Sequence, residues 1–181
     1  MNTIKLKFIA LSLSFFISVA FLFLVLHSKS NRFNDEEYAR MMSVHHAQAV
    51  DLSLHMLLYG NDPVLKVIAT DILLTQQNQV GRFQQFLDER GARRVLAAGV
   101  IMDGMLNHNE LRTYKELRGR ELDLDFIDLM IRHHEGGVLM SKYSVSLGLN
   151  GQMARLAKSA ILSQQAELQA LVEVKNRVSG G

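Results

Sequence analysis

The feature that most constrains this chain is an internal repeat with a fixed offset of 88 residues. Met42-Ser-Val-His45-His46 in the first half falls on Met130-Ile-Arg-His133-His134 in the second. Without any gap, 11 of the 53 positions from 35 to 87 are identical to the residue 88 positions later. A fixed offset over this length is typical of a duplicated structural unit, so the two halves are expected to fold alike.

The first copy has the pattern of a helix, a glycine-containing turn and a second helix. Asn34 or Asp35 is the expected N-cap of a helix that ends near Tyr59. Gly60-Asn61-Asp62-Pro63 predicts the turn, because glycine favours a helix C-terminus, aspartate the next N-cap and proline the first helical position. Apolar residues then follow at three- and four-residue spacing, which indicates the second helix.

The second copy repeats this plan. Asp123 or Asp125 is expected to open a helix to about Leu147, and a last helix is expected to end near Asn176. Four antiparallel helices of this length predict an all-α, ferritin-like four-helix bundle built from two repeated hairpins. The predicted boundaries are 33–178 for the bundle, 35–90 and 123–177 for the repeats, and 91–122 for a connector long enough to cross the bundle.

The N-terminal segment has the pattern of a membrane helix. Phe8–Leu26 is an uncharged run of 19 residues, and Lys5 and Lys7 precede it. At about 1.5 Å per residue, such a helix matches the hydrocarbon core of a bilayer. The preceding positive charge predicts residues 1–7 in the cytoplasm and everything after His27 in the periplasm. The chain is therefore expected to be single-pass in the cytoplasmic membrane, with a polar linker at Ser28–Asn34.

A cleaved signal peptide is the alternative for this segment. Its cleavage site would need a small-x-small sequence after the apolar run. Ser18-Val19-Ala20, the candidate for such a site, lies inside the run instead. An uncleaved anchor is therefore the prediction.

Charge and composition exclude several classes of protein. All 18 acidic residues, but only 16 of the 20 basic ones, lie after residue 32. The folded part therefore has no basic excess with which to bind nucleic acid. The absence of cysteine excludes a disulfide framework, a thiolate metal site and a cysteine nucleophile.

The paired histidines are the residues with the clearest chemical potential. The apolar stripe of the first helix places His45 towards the core and His46 on its flank, about 100° away around the axis. Met42 lies one turn before both rings, at spacings where helical side chains meet. The second copy offers the same set, with one more methionine on the same face and a glycine that clears space beside the ring: Met130, His133, His134, Gly137 and Met140.

Two interpretations of these residues remain open. Thioether and imidazole without thiolates or clustered carboxylates suit Cu(I) or Ag(I) better than zinc, iron or manganese. Alternatively the histidines are structural, with Gln76, Gln164 and Glu167 of the partner helices as hydrogen-bond partners. An oxidoreductase with a ferritin-like metal centre is disfavoured, because no glutamate lies three residues before any paired histidine. No catalytic residue is assigned.

On these motifs the chain resembles the bacterial family catalogued as domain of unknown function 305. Its members carry two Met-x-x-His-His helices, each followed by a helix with Gln-x-x-Glu, and the resemblance runs from about Asp35 to Leu171. It implies an exported, ferritin-like four-helix bundle, and some relatives are periplasmic copper-binding proteins. The metal ligands it implies are Met42, His45, His46, Met102, Met105, Met130, His133, His134 and Met140. Gln76, Gln164 and Glu167 fall on the second-helix motif.

The chain departs from the family pattern mainly in its first half. Leu52 stands where the second copy has Met140, and Gln79 stands where it has Glu167. The second half is therefore the better candidate for binding Cu(I). The sequence predicts a membrane-anchored, non-catalytic metal-binding protein, with copper as the expected ion. The alternative is a structural or protein-interaction bundle whose histidines bind no metal.

Overall fold

The computed structural model describes residues 3–96, 100 and 102–179. Side chains are described at 16–22, 26, 34–96, 100 and 102–178. This part of the chain contains α-helices and no strand, which confirms the predicted all-α fold. The helices are α1 (Thr3–Tyr59), α2 (Pro63–Asp88), α3 (His108–Glu116), α4 (Gly119–Ser146) and α5 (Gly151–Ser179).

The two helical hairpins pack side by side as a four-helix bundle. In this bundle α1 contacts α2 and α4, and α5 contacts α4 and α2. Two contacts show that α1 and α4 run in opposite directions. Before the paired histidines of α1, the Tyr38 hydroxyl lies 2.9 Å from the hydroxyl of Ser141, which is near the end of α4. Halfway along, the rings of His45 and His133 meet. Residues before His45 therefore face residues after His133.

The predicted start of the first bundle helix is wrong. The helix α1 continues without a break through Ser28–Asn34, so the predicted linker is helical and neither Asn34 nor Asp35 is an N-cap. Asp35 is 1% exposed, and its carboxylate accepts hydrogen bonds from the main-chain and side-chain amides of Asn150. The carboxylate thus holds the turn between α4 and α5, not its own helix.

The second copy uses its equivalent aspartate in the same way. Asp123 accepts from the main-chain N–H groups of Asn61 (2.8 Å) and Asp62 (3.0 Å), in the turn between α1 and α2. It therefore does not open α4, which begins four residues earlier at Gly119. Each copy thus holds the turn of the other by an equivalent contact. Asp35 binds Asn150 and Asp123 binds Asp62, and the 88-residue offset relates the two carboxylates and the two turn residues. The prediction for the turn itself is confirmed, since Asp62 caps α2 and Pro63 is its first residue.

The predicted membrane segment Phe8–Leu26 forms part of α1. Its side chains at 8–15 and 23–25 lie outside the residues that the structure describes. Among the residues that are described, no helix is long and apolar enough to cross a membrane.

The connector between α2 and α4 runs along α1 over the length of the bundle. The Arg93 carbonyl accepts from Arg40 (3.3 Å), and further on the Tyr114 hydroxyl of α3 donates to the Leu52 carbonyl (2.9 Å). Between these points, the main chain of Leu106 forms two hydrogen bonds with the side chain of Gln48. The connector therefore crosses the bundle, as predicted, and covers its middle.

The core consists of two apolar clusters at opposite ends of the bundle. The cluster nearer the start of the bundle in α1, here called the methionine-rich cluster, contains Tyr38, Ala39, Met42, Phe83, Phe86, Leu87, Met102, Met140, Met153, Leu156 and Ala157, with Met41 and Met105 packed against it. The other, here called the leucine-rich cluster, includes Leu52, Met56, Leu65, Ile72, Leu106, Leu122, Phe126, Met130 and Leu171. Along each of the four bundle helices, buried polar residues separate the two.

Replacing Asp35 or Asp123 by alanine should lower the free energy of unfolding by about 1–3 kcal/mol, because turn N–H groups lose a charged acceptor. Asp128→Ala is the matched control: its side chain is 64% exposed, and the change should cost less than about 0.5 kcal/mol. Urea unfolding followed by circular dichroism measures all three values. Equal losses in the three variants would show that these carboxylates do not hold the turns.

Candidate metal centre

A layer of eight polar side chains lies between the two apolar clusters. Each bundle helix contributes two of them, and none is more than 4% exposed: His45, His46, Gln76, Gln79, His133, His134, Gln164 and Glu167. Burying polar groups is unfavourable unless each finds a hydrogen-bond partner. The partners of this layer therefore decide what it can do.

Two histidines, one from each copy, have equivalent partners on the neighbouring helix. His46 Nε2 donates to Gln79 Oε1 at 2.7 Å, and His134 Nε2 donates to Glu167 Oε2 at 2.6 Å. The predicted contact of Glu167 with the histidines is therefore present. Gln79 was not predicted as a site residue, although the 88-residue offset places it on Glu167.

Gln76 lies between the two copies. Its amide donates to Glu167 Oε2 at 3.3 Å, and its nitrogen lies 3.2 Å from His134 Nε2. Gln76, a predicted partner of the paired histidines, therefore belongs to the first copy but contacts the second. This crossing of partners follows from the packing of the two hairpins and not from the sequence of either.

The other two histidines meet at the centre of the bundle. The ring centroids of His45 and His133 are 3.9 Å apart, with the rings tilted by 43°. His45 Nε2 donates to the main-chain carbonyl of Asp103 at 3.3 Å. Among the described residues, both ring nitrogens of His133 and Nδ1 of His45 have no hydrogen-bond partner.

A shared pattern emerges from these hydrogen bonds. In His45, His46 and His134, Nε2 donates to an oxygen, and Nδ1 has no partner among the described residues. A neutral imidazole that donates from one nitrogen keeps a lone pair on the other. Histidines that bind metals have this arrangement, in which an oxygen acceptor fixes the tautomer and the ring orientation.

Burial keeps the central rings uncharged at neutral pH. Desolvation lowers the pKa of His45 to about 4, and it lowers the pKa of His46 and of His133 well below the ordinary value. Mutual repulsion between neighbouring rings lowers these pKa values further. Neutral imidazole is the form that binds metal ions.

Close packing fills the space that was predicted beside Gly137. A Cβ at this position would collide with the amide of Gln164 and would lie 2.9 Å from Cε1 of His45. The absence of a side chain therefore admits these two groups to the centre, and the expected free space is occupied. Both polar atoms of the Gln164 amide have no partner among the described residues.

The connector lies directly on α4 beside His133. Gly104 has φ +79°, in the left-handed region that favours glycine, and a Cβ there would collide with the Arg132 carbonyl and lie 3.0 Å from Cα of His133. A Cβ at Gly136 would collide with the Asp103 carbonyl. The two glycines thus bring the connector backbone onto the histidines, and the Asp103 carbonyl is a site group that the sequence did not indicate.

The predicted methionine ligands fall on both sides of the polar layer. Met42, Met102 and Met140 belong to the methionine-rich cluster, whereas Met130 belongs to the leucine-rich cluster. Met130 and Met140 therefore lie on opposite sides of the layer that contains His133. Because α1 and α4 are antiparallel, Met42 shares its cluster with Met140, and Met130 shares its cluster with Leu52.

Among the residues that the structure describes, no group of three or more His, Asp or Glu side chains has the arrangement of a metal site. In and beside the layer, the structure places imidazole nitrogens together with the methionine sulfurs of the adjoining clusters. That combination is typical of Cu(I) sites.

The fold and the site define the chain as a duplicated helical-hairpin bundle with a buried histidine layer. It belongs to the family described as Domain of unknown function (DUF305), whose sequence pattern covers residues 35–175.

Solved structures of this family share the fold. A DUF305 protein from Streptomyces coelicolor is 33% identical, with a TM-score of 0.72 over 78% of this chain and 91% of that one. CopM in its Cu(I)-bound form is 25% identical, with a TM-score of 0.66 over 81% of this chain and 98% of CopM. CopM is also known in an Ag-bound form, with a TM-score of 0.64.

A shorter match is found with a viral protein. "Uncharacterized protein L153" of Acanthamoeba polyphaga mimivirus is 37% identical over 57 residues. The match spans 32% of this chain and 38% of the viral protein.

The free energy of unfolding should fall as the pH is lowered from 7.5 to 5.5. The folded-state pKa of His45, at about 4, lies below the unfolded value of 6.5, so the unfolded chain binds more protons between these values. Each such histidine lowers the free energy of unfolding by about 1.4 kcal/mol for each pH unit below 6.5, down to its folded-state pKa. Urea unfolding at pH 7.5, 6.5 and 5.5 measures this slope.

His133→Gln should make that slope shallower, since one buried titrating ring is removed. His108→Gln is the control, because the His108 side chain is exposed and its loss should leave the slope unchanged. A wild-type free energy that does not vary with pH would contradict the uncharged state of the central rings.

Proposed function

We propose that this protein binds Cu(I) in its buried histidine layer and catalyses no reaction. The observation that carries the proposal is the central ring pair: His45 donates from Nε2, and neither its Nδ1 nor either ring nitrogen of His133 has a hydrogen-bond partner among the described residues. Unpartnered polar atoms inside a core cost about 1–3 kcal/mol each. An ion bound by these nitrogens would compensate that cost.

The donor set fits a soft monovalent ion. The central pair, His45 and His133, offers neutral imidazole nitrogens, and Met42 and Met140 lie in the cluster on one side of it. Imidazole and thioether without thiolate suit Cu(I). We therefore assign the first coordination shell to these four residues, with Met102 and Met105 of the connector as further thioethers on the same side. Similarity to CopM, which is known in a Cu(I)-bound form, supports this assignment.

The remaining polar groups would hold the layer around the ion in place. The Asp103 carbonyl fixes the tautomer and orientation of the ligand His45, and Gln79 and Glu167 do the same for His46 and His134 beside the central pair. Met130 lies on the other side of the layer, in the leucine-rich cluster, and is not assigned to the shell.

We further propose that Phe8–Leu26 anchors the chain in the cytoplasmic membrane with the bundle on the periplasmic side. The uncharged run and the lysines before it support this orientation. N-terminal sequencing of the mature protein is the test. A first residue between 21 and 34 would show that the segment is removed.

A structural role for the histidines is the second candidate function. The hydrogen bonds His46–Gln79 and His134–Glu167 join the two helices of each hairpin, and such bonds fix the register of helix packing. This role needs no free Nδ1 and no nearby thioether. The two functions therefore differ in their response to loss of the methionines.

Met42→Leu with Met140→Leu should lower the Cu(I) affinity by at least about tenfold, which corresponds to about 1.4 kcal/mol. Leucine conserves the side-chain volume and removes the sulfur, so the fold should be retained. Met56→Leu with Met130→Leu is the matched control, because both residues lie in the leucine-rich cluster. Competition with a chromophoric Cu(I) chelator under reducing conditions gives both affinities.

Three results would contradict the proposal. The first is a wild-type protein that fails to compete with the chelator. The second is a larger loss of affinity in the control pair than in the test pair. The third is wild-type affinity in both pairs. The first result favours the structural function, and the other two show that copper binds without the thioethers of Met42 and Met140.

A further inference from the structure

A surface pocket with three methionines lies beside the connector. It has a volume of about 340 Å³ and is lined by Met41, Met102, Asp103, Leu139, Met140 and Tyr143. Two of these methionines, Met102 and Met140, are also buried members of the methionine-rich cluster, at 6% and 8% exposure. The pocket wall is therefore the outer face of the cluster that contains Met42.

Asp103 connects this pocket with the centre of the bundle. Its residue is exposed and lines the pocket, while its main-chain carbonyl accepts the hydrogen bond from His45 Nε2 at 3.3 Å. One residue of non-helical connector thus separates the solvent from the central ring pair. The carboxylate of Asp103 also places a negative charge at the pocket, which attracts cations.

The central rings have no direct exposure to solvent. All four paired histidines are fully buried, and Gly104 of the connector lies on the backbone of His133. The pocket opens to solvent on the methionine-rich side, and Asp103 joins it to the ring pair. An ion that enters there meets methionine sulfur before it meets the rings.

We propose that Met41, Met102 and Met140 form a solvent-facing thioether site that takes Cu(I) or Ag(I) first and passes the ion to His45 and His133, with Met140 shared between the two positions. This inference rests on the proposed copper binding and adds a receiving site to it. Thioether sulfur binds soft monovalent ions, and flexible methionine side chains adapt to an ion that arrives and leaves.

The lining of the pocket also selects the kind of ion. Leu139 and Tyr143 at its mouth are 57% and 63% exposed and present apolar surface to the incoming ion. Strongly hydrated ions such as Mg²⁺ lose their water with difficulty and prefer oxygen ligands. Three thioethers and one carboxylate in an apolar setting therefore favour Cu(I) or Ag(I).

Cu(I) uptake by the full-length protein tests the receiving site. Stopped-flow transfer from a chromophoric Cu(I) chelator is compared for the wild type, Met41→Leu and Met56→Leu. Met41 lines the pocket and has no part in the central site, whereas Met56 lies in the leucine-rich cluster. Met41→Leu is expected to slow uptake at least about fivefold, and Met56→Leu to load at the wild-type rate.

A titration with Ag(I) provides the second measurement. In a His45→Gln, His133→Gln variant, the methyl signals of Met41 and Met102 should still shift on addition of one equivalent of Ag(I), because the pocket binds independently of the central rings. Met41→Gln serves as a second pocket variant if Met41→Leu is not helical by circular dichroism.

The outcomes separate the two proposals. Wild-type uptake that is unchanged by both Met41 variants, or methionine signals that no longer respond once the histidines are replaced, would overturn the receiving site while leaving central copper binding intact. A wild-type protein that takes up no Cu(I) would overturn the central site and the receiving site together.

Discussion

The contact between the rings of His45 and His133 is the interaction on which the rest of the structure depends. It brings the two copies of the hairpin together at the middle of the bundle, with ring centroids 3.9 Å apart. It requires glycine at position 137, since a side chain there would meet His45 and Gln164. It also places two imidazoles where no solvent reaches them. Burial lowers their pKa values, so both rings stay uncharged, which is the form that binds metal ions.

Much of the fold could be predicted from the repeat. The 88-residue offset gave the two hairpins, and Gly60 to Pro63 gave the first turn, because local preferences of glycine and proline decide such turns. The contacts between the copies could not be predicted. Asp35 and Asp123 have the sequence pattern of helix caps, yet each binds the turn of the other copy, because docking of the hairpins brings them together.

Antiparallel packing of the two copies also explains how the methionines are distributed. An offset pairs residues that play equal parts in two copies, but it does not say which of them meet. In an antiparallel pair of equivalent helices, a residue before the histidine of one helix meets a residue after the histidine of the other. Of the eight methionines that the structure describes, six therefore gather on one side of the polar layer. Leu52, which stands where the second copy has a methionine, lies in the leucine-rich cluster together with Met130. The methionine-rich side therefore loses no sulfur through this difference.

X-ray absorption at the copper edge tests the central claim most directly. The full-length protein is loaded with one equivalent of Cu(I), and the atoms bound to copper are identified by their scattering. The account predicts a mixed shell with imidazole nitrogen and thioether sulfur, because the ring pair and the methionine-rich cluster lie side by side. A shell of nitrogen and oxygen alone, or copper that does not remain with the protein, would contradict it.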